Sequence, residues 1–112
     1  MKITCPKEGA NIDTRREWQV CIEDITGDNN PVSIWLTHRT TDPERCEQIV
    51  ASYTFSAQEL EDQKATVTIN GGVVVSSPSG ANYRVALAAV GLNPTQCPGI
   101  WCETLDISIQ NP

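Results

Sequence analysis

The sequence predicts an all-β fold: a seven-stranded antiparallel β-sandwich, built as one domain over residues 1–112. Three observations predict it. Apolar residues recur at every second position in segment after segment, the period of a half-buried strand. Clusters of Gly, Pro, Asn, Asp and Ser fall between those segments at strand spacing. A chain of 112 residues has length for one hydrophobic core and too little for a second.

The elements follow in order. Ile3-Thr4-Cys5 reads as a first short strand, ended by the turn signal Gly9-Ala10-Asn11. Trp18, Val20 and Ile22 alternate with Gln19, Cys21 and Glu23, and Gly27-Asp28-Asn29-Asn30-Pro31 breaks the pattern. Val32, Ile34 and Leu36 then alternate with Ser33, Trp35 and Thr37, and Ile49-Val50-Ala51-Ser52-Tyr53 supplies a middle strand. Ser56 followed three residues later by Glu59 fits a capping box and predicts one or two helical turns over 56–62. Ala65, Val67 and Ile69 resume the period of two. Ser77-Pro78-Ser79-Gly80 turns the chain into Tyr83, Val85, Leu87 and Ala89, and Leu105, Ile107 and Ile109 close it.

Successive side chains of a strand point to opposite faces, so each segment presents one apolar face. Two antiparallel sheets packed face to face bury all seven; a closed barrel is the alternative. The predicted sandwich is immunoglobulin- or fibronectin type III-like. Residues 81–90 contain no cysteine for an antibody-type bridge between the second and sixth strands, which favours the fibronectin variety.

Charge narrows the partners. Fourteen acidic against eight basic residues give a formal net charge of −6. That is the wrong sign for a phosphate backbone, and the largest basic run is the pair Arg15-Arg16. Nucleic acid is therefore not an expected partner. No apolar run approaches the roughly 18 residues of a membrane span.

Five cysteines, Cys5, Cys21, Cys46, Cys97 and Cys102, are scattered along the chain. Zinc would need close cysteine pairs at both ends of a site, and the single histidine, His38, stands apart. No metal or cofactor is expected. Disulfides in an oxidising compartment suit a domain of this size, and a secreted protein, extracellular or in a cell wall, is the expectation. Pro98 and Gly99 can turn the chain between Cys97 and Cys102, so those two are predicted to pair locally. One further bridge is expected among Cys5, Cys21 and Cys46, its connectivity open, with one thiol left over; the protein is then a monomer or a disulfide-linked dimer. Met1-Lys2 runs at once into Ile3-Thr4-Cys5-Pro6, and the expectation is a mature chain whose leader has been removed. Pro94 after Asn93 spoils the glycosylation signal there.

Catalytic signatures are sparse. A Ser-His-Asp mechanism would rest on His38, which ends a strand pattern. Glu23, Asp24, Asp28, Glu44, Glu47, Glu59, Glu61, Asp62, Glu103 and Asp106 could in principle supply a carboxylate pair for glycan hydrolysis, but a small sandwich places most of them on solvated loops. The segment Glu23–Asn30 carries oxygen ligands without the spacing of a calcium-binding loop, and reads as an acidic turn. The aromatic residues are more informative. Trp18 belongs to the core parity. Trp35 falls on the opposite parity to Val32, Ile34 and Leu36, facing outward either as a contact residue or under a neighbouring loop. Trp101, beside Ile100, occupies the tip of the predicted cysteine-closed loop. A rigidly held Trp stacks on sugar rings or anchors a protein interface at low entropic cost. The candidate binding residues are Trp101 and Ile100, then Trp35 and His38.

Ile3-Thr4-Cys5-Pro6 with Gly9 soon after, the strand at Trp18, Pro31-Val32-Ser33-Ile34-Trp35-Leu36, Gly80-Ala81-Asn82-Tyr83-Arg84-Val85-Ala86-Leu87 and the closing Leu105-Asp106-Ile107-Ser108-Ile109 run in a telling order. In these pieces the chain resembles the amino-terminal domain of the fungal cell-wall-synthesis (KNH-like) proteins, found also in Ser/Thr-rich GPI-anchored wall proteins. The resemblance implies a non-enzymatic domain of a secreted or wall-bound protein, with a protein or cell-wall polysaccharide as partner. The five cysteines and the missing Ser/Thr-rich tail depart from that family and make a free, effector-like domain an equal expectation. A carboxylate-dependent hydrolase and a structural protein joined through the odd cysteine are the alternatives.

Overall fold

The computed structural model describes residues 1–39 and 44–111. Among them run nine strands and one short helix: β1 (Lys2–Cys5), β2 (Asn11–Asp13), β3 (Trp18–Glu23), β4 (Val32–His38), β5 (Arg45–Tyr53), α1 (Ala57–Asp62), β6 (Lys64–Ile69), β7 (Gly80–Ala88), β8 (Ile100–Glu103) and β9 (Ile107–Gln110). The fold is all-β, and every expected strand is present. The helix starts as its sequence dictates. Ser56 Oγ accepts from the Glu59 amide at 3.1 Å, and the Glu59 carboxylate accepts from the Ser56 amide at 2.9 Å.

Two sheets result. One has the order β1-β3-β6; the other runs β2-β9-β7-β4-β5, with β8 also paired to β7. Trp18, Val20, Ile22, Val67 and Ile69 from the first sheet share one core with Ile34, Leu36, Tyr83, Val85, Leu87 and Ile107 from the second. Both sheets are open among the described residues, with β1, β6, β2 and β5 at their edges, so the barrel alternative does not hold.

Two features correct the expected layout. The start of the chain is divided: β1 pairs with β3 in one sheet, and β2 crosses to the other, where it runs parallel to β9. The sandwich is therefore mixed rather than wholly antiparallel. Three residues, Asn11–Asp13, are too few to show a period of two. The second feature is β8, which takes up residues expected to form a loop tip and lays them along β7.

Candidate functional site

In β4, Val32, Ile34 and Leu36 face the shared core, and Ser33, Trp35 and Thr37 face away from it. Yet the outward residues are buried too. Trp35 packs with Ala86, Ala88, Cys46 and Ile100 in a second, smaller cluster on the outer face of the larger sheet. Its indole Nε1 donates to Ser33 Oγ at 2.8 Å, and Ser33 Oγ donates to the Ala89 carbonyl at 2.7 Å, so the polar end of the ring is satisfied. Trp35 is thus outward by parity but covered, and it is not an accessible contact residue.

One part of that cover, Cys46, is tied by a disulfide that the sequence left open. Cys46 bonds to Cys97, and Cys5 bonds to Cys21. The expected Cys97–Cys102 pairing is wrong. From Ile100 the chain is extended in β8, and Cys102 sits opposite Leu87 and packs on the main core, whereas Cys97 lies over Cys46 on the outer face. A disulfide needs Cα atoms within about 7 Å and converging Cβ vectors, which an extended chain with the sulfurs on opposite faces does not provide. The expected second bridge among Cys5, Cys21 and Cys46 exists as Cys5–Cys21, and the odd thiol is Cys102. Burial, above all, pushes that thiol above its ordinary value.

Trp101 owes its position to a bulge. Leu87 pairs with Cys102 and Ala88 with Ile100, so one step along β7 answers two along β8, and Trp101 is the extra residue. A bulge re-aims a side chain without loosening the strand. Trp101 is 42% exposed, while Ile100 on one side packs against the Trp35 cluster and Cys102 on the other against the main core.

His38 lies elsewhere. It ends β4 directly opposite Tyr83 of β7, and the two rings stack with centroids 4.1 Å apart and planes within 3° of parallel. Along β7, Tyr83 is four to five residues from the Trp101 bulge, or about 15 Å at strand rise. The candidate residues therefore divide between two places and do not form one site.

His38 and Tyr83 line a cavity of about 300 Å³ with residues 44–47, 76–78, Thr95 and Cys97. Its walls are fixed. Glu47, almost fully buried, accepts from the amides of Val75 at 2.7 Å and Ser76 at 3.2 Å and from the Ser77 hydroxyl at 2.8 Å. Three donors on one buried carboxylate stabilise its charge and pin the segment ahead of β7. The Tyr83 hydroxyl donates to the Pro78 carbonyl at 2.6 Å. Burial, and after it the Glu47 charge, holds the Tyr83 phenol above its ordinary value. Glu44 of the lining pairs with Arg39, which also pairs with Glu103, and Arg84 bridges Glu103 and Asp106 at 2.7 Å each.

From sequence Tyr83 is expected only as an inward strand residue, and Glu47 only as one acidic residue among many. For Glu47 the signal was present: in Arg45, Glu47 and Ile49 a carboxylate occupies the inward parity of a strand. Among the described residues no group of three or more His, Cys, Asp and Glu side chains is placed to hold a metal ion. No helix is long and apolar enough to cross a membrane. Scanned against protein-family models and searched against curated proteins, the chain gives no match.

Proposed function

We propose that the protein is a secreted, non-catalytic binding module of immunoglobulin or fibronectin type III character, wall-associated or effector-like, that contacts a protein or glycan partner through the surface around Trp101. Trp101 carries the reading: a large aromatic, partly exposed, on a bulged strand whose two neighbours are anchored in separate apolar clusters. Such a side chain is already ordered before a partner arrives, so little further entropy is lost on binding.

The strand order supports the fold assignment. A three-stranded sheet faces one in which β9, β7, β4 and β5 are neighbours, and the first strand is shared between the two, as in immunoglobulin-type sandwiches. Tyr83 stands near the start of β7 and bonds back to the Pro78 carbonyl five residues upstream, the geometry of the tyrosine corner in those folds. Two intramolecular disulfides suit an oxidising compartment. The resemblance to fungal wall-associated domains supplies the setting. A non-catalytic role is supported by what the acidic groups already do: Glu47 holds a loop, Glu59 caps a helix, and Glu103 and Asp106 pair with arginines.

The test pairs a glycan-array screen with a pull-down from host extract, both repeated with Trp101→Ala. Binding should weaken at least tenfold, a hot-spot loss above about 1.4 kcal/mol, with the melting temperature nearly unchanged. A variant that binds undiminished, or that unfolds, removes Trp101 as the contact residue.

A further inference from the structure

We infer that Asn70 is a site of covalent modification: in the folded protein its side-chain amide converts, without an enzyme, into a mixture of aspartate and isoaspartate. The reaction asks three things of its surroundings. The next residue must have no side chain that crowds ring closure, the asparagine side chain must be free to turn back on the backbone, and the next amide must not be held by an acceptor. Seven asparagines can be compared. Asn30, Asn93 and Asn111 precede Pro31, Pro94 and Pro112, which carry no N–H. Asn11 and Asn82 precede the bulky Ile12 and Tyr83 inside β2 and β7. Asn29 precedes Asn30, and its Oδ1 accepts from the Thr26 hydroxyl at 3.3 Å. Only Asn70 is followed by glycine.

The fold leaves this pair open. Asn70 and Gly71 are exposed just past the end of β6, and among the described residues neither the Asn70 side chain nor the Gly71 amide has a hydrogen-bond partner. Other groups fix the turn. The Asn70 carbonyl accepts from the Val73 amide at 3.4 Å, and the Gly72 amide donates to the Thr14 carbonyl at 3.0 Å. The reacting groups are thus neighbours with no bond to break before they meet. Nor can another residue replace the glycine and protect the site. A Cβ at position 71 would lie 2.3 Å from the Arg15 carbonyl oxygen and 3.1 Å from Arg16 Cα, so packing against the crossing from β2 to β3 demands the very residue that makes Asn70 reactive.

Water is the one co-reactant. The Gly71 nitrogen attacks Asn70 Cγ, the Cγ–NH₂ bond breaks, and ammonia leaves with the amide proton, giving a cyclic succinimide. Water then opens the ring at one of its two carbonyls. Opening at Cγ gives aspartate; opening at the main-chain carbonyl gives isoaspartate, whose backbone runs through the former side chain and is longer by one methylene. Both products exchange NH for O and add one negative charge to the formal −6. Isoaspartate has the larger consequence, because its methylene enters a turn that has no space for it beside Arg15 and pulls Gly72 from Thr14.

The test is peptide mapping by mass spectrometry of the whole protein, disulfides intact, sampled during long incubation at mildly alkaline pH, with a second sample unfolded in urea. The NH-for-O exchange should appear at Asn70 at least about tenfold faster than at any other asparagine, as two separable products of equal mass. Asn70→Gln should remove both. In the purified isoaspartate form the Gly72 amide should exchange with solvent about fivefold faster than in freshly prepared Asn70→Asp, which carries the charge without the methylene, as one weakened hydrogen bond implies. An Asn70 that stays intact in the folded protein while it reacts in urea, faster reaction at another asparagine, or a single product would each overturn the assignment. Equal Gly72 exchange in the two forms would overturn the effect on the turn.

Discussion

The two disulfides hold different things. Cys5 and Cys21 face each other in the β1–β3 ladder, sixteen residues apart, where Lys2 and Ile3 already pair with Glu23 and Ile22. Cys46 and Cys97 are fifty-one residues apart and join the start of β5 to a segment with no strand of its own. Loop-closure entropy assigns about 3 kcal/mol to the first and about 4 kcal/mol to the second. The larger difference lies in the native state. One bond repeats what a ladder of backbone hydrogen bonds does, and the other ties Cys46, which packs against Trp35, to a segment that lines the cavity.

Removing each bond in turn tests that contrast with the largest effects. Cys46→Ala with Cys97→Ala should lower unfolding stability by about 4 kcal/mol. It should also expose Trp35, against which Cys46 packs, to a collisional quencher. Cys5→Ala with Cys21→Ala should cost about 3 kcal/mol yet leave Trp35 shielded and the cavity intact. Urea unfolding and tryptophan quenching read both. Equal quenching in the two variants would mean that segment 89–99 stays in place without its covalent tie.

Glu47 is the non-covalent counterpart of Cys46–Cys97 on the opposite cavity wall, and its removal is the next smaller effect. Glu47→Gln keeps the shape but sets an NH₂ where the carboxylate accepted from Val75, Ser76 and Ser77. At least one donor then faces a donor, at about 1–3 kcal/mol. The urea midpoint should fall with an unchanged slope, and the amides of Val75 and Ser76 should exchange faster with solvent. Unchanged exchange would show that the segment is held by something other than this carboxylate.

Alternation of apolar residues made the strands legible, because parity along a strand is a local property. The five alternating segments could be read that way, and the capping box at Ser56 by its three-residue spacing to Glu59. What parity could not carry was anything set by a partner far away in sequence. Trp35 has outward parity, and the residues that bury it, Cys46 of β5, Ala86 and Ala88 of β7 and Ile100 of β8, come from other strands. Cys97 and Cys102 are near in sequence, and only the pairing of β8 with β7 places their sulfurs on opposite faces. Ile100 and Trp101 were legible as an apolar pair that could make contacts. That one is anchored and the other exposed follows from a bulge whose register belongs to β7. Tyr83 read as an ordinary core residue, since its hydroxyl finds its acceptor in the preceding turn.

A third way of holding a segment uses charge alone, and it should show the smallest effect on stability. At the end of β2, Asp13 accepts from Arg15 Nε at 2.8 Å, from Arg15 Nη2 at 2.9 Å and from the Arg15 amide at 3.1 Å. The Arg15 side-chain hydrogen bonds, chiefly, lower the Asp13 carboxyl to about 2. A carboxyl lowered on folding stabilises the native state above its unfolded value of about 3.9, and that contribution fades as pH falls through about 2. A carboxyl-detected NMR titration should place the Asp13 midpoint near 2. Arg15→Ala should return it toward about 3.9, and added salt should move it part of the way, since Arg15 is largely exposed. The melting temperature at neutral pH should change least in this variant, because an exposed pair is screened by water where the disulfide and the buried Glu47 are not. A drop as large as that of Glu47→Gln would instead make the Asp13 turn a structural anchor in its own right, through Gly71, where a Cβ would lie 2.3 Å from the Arg15 carbonyl.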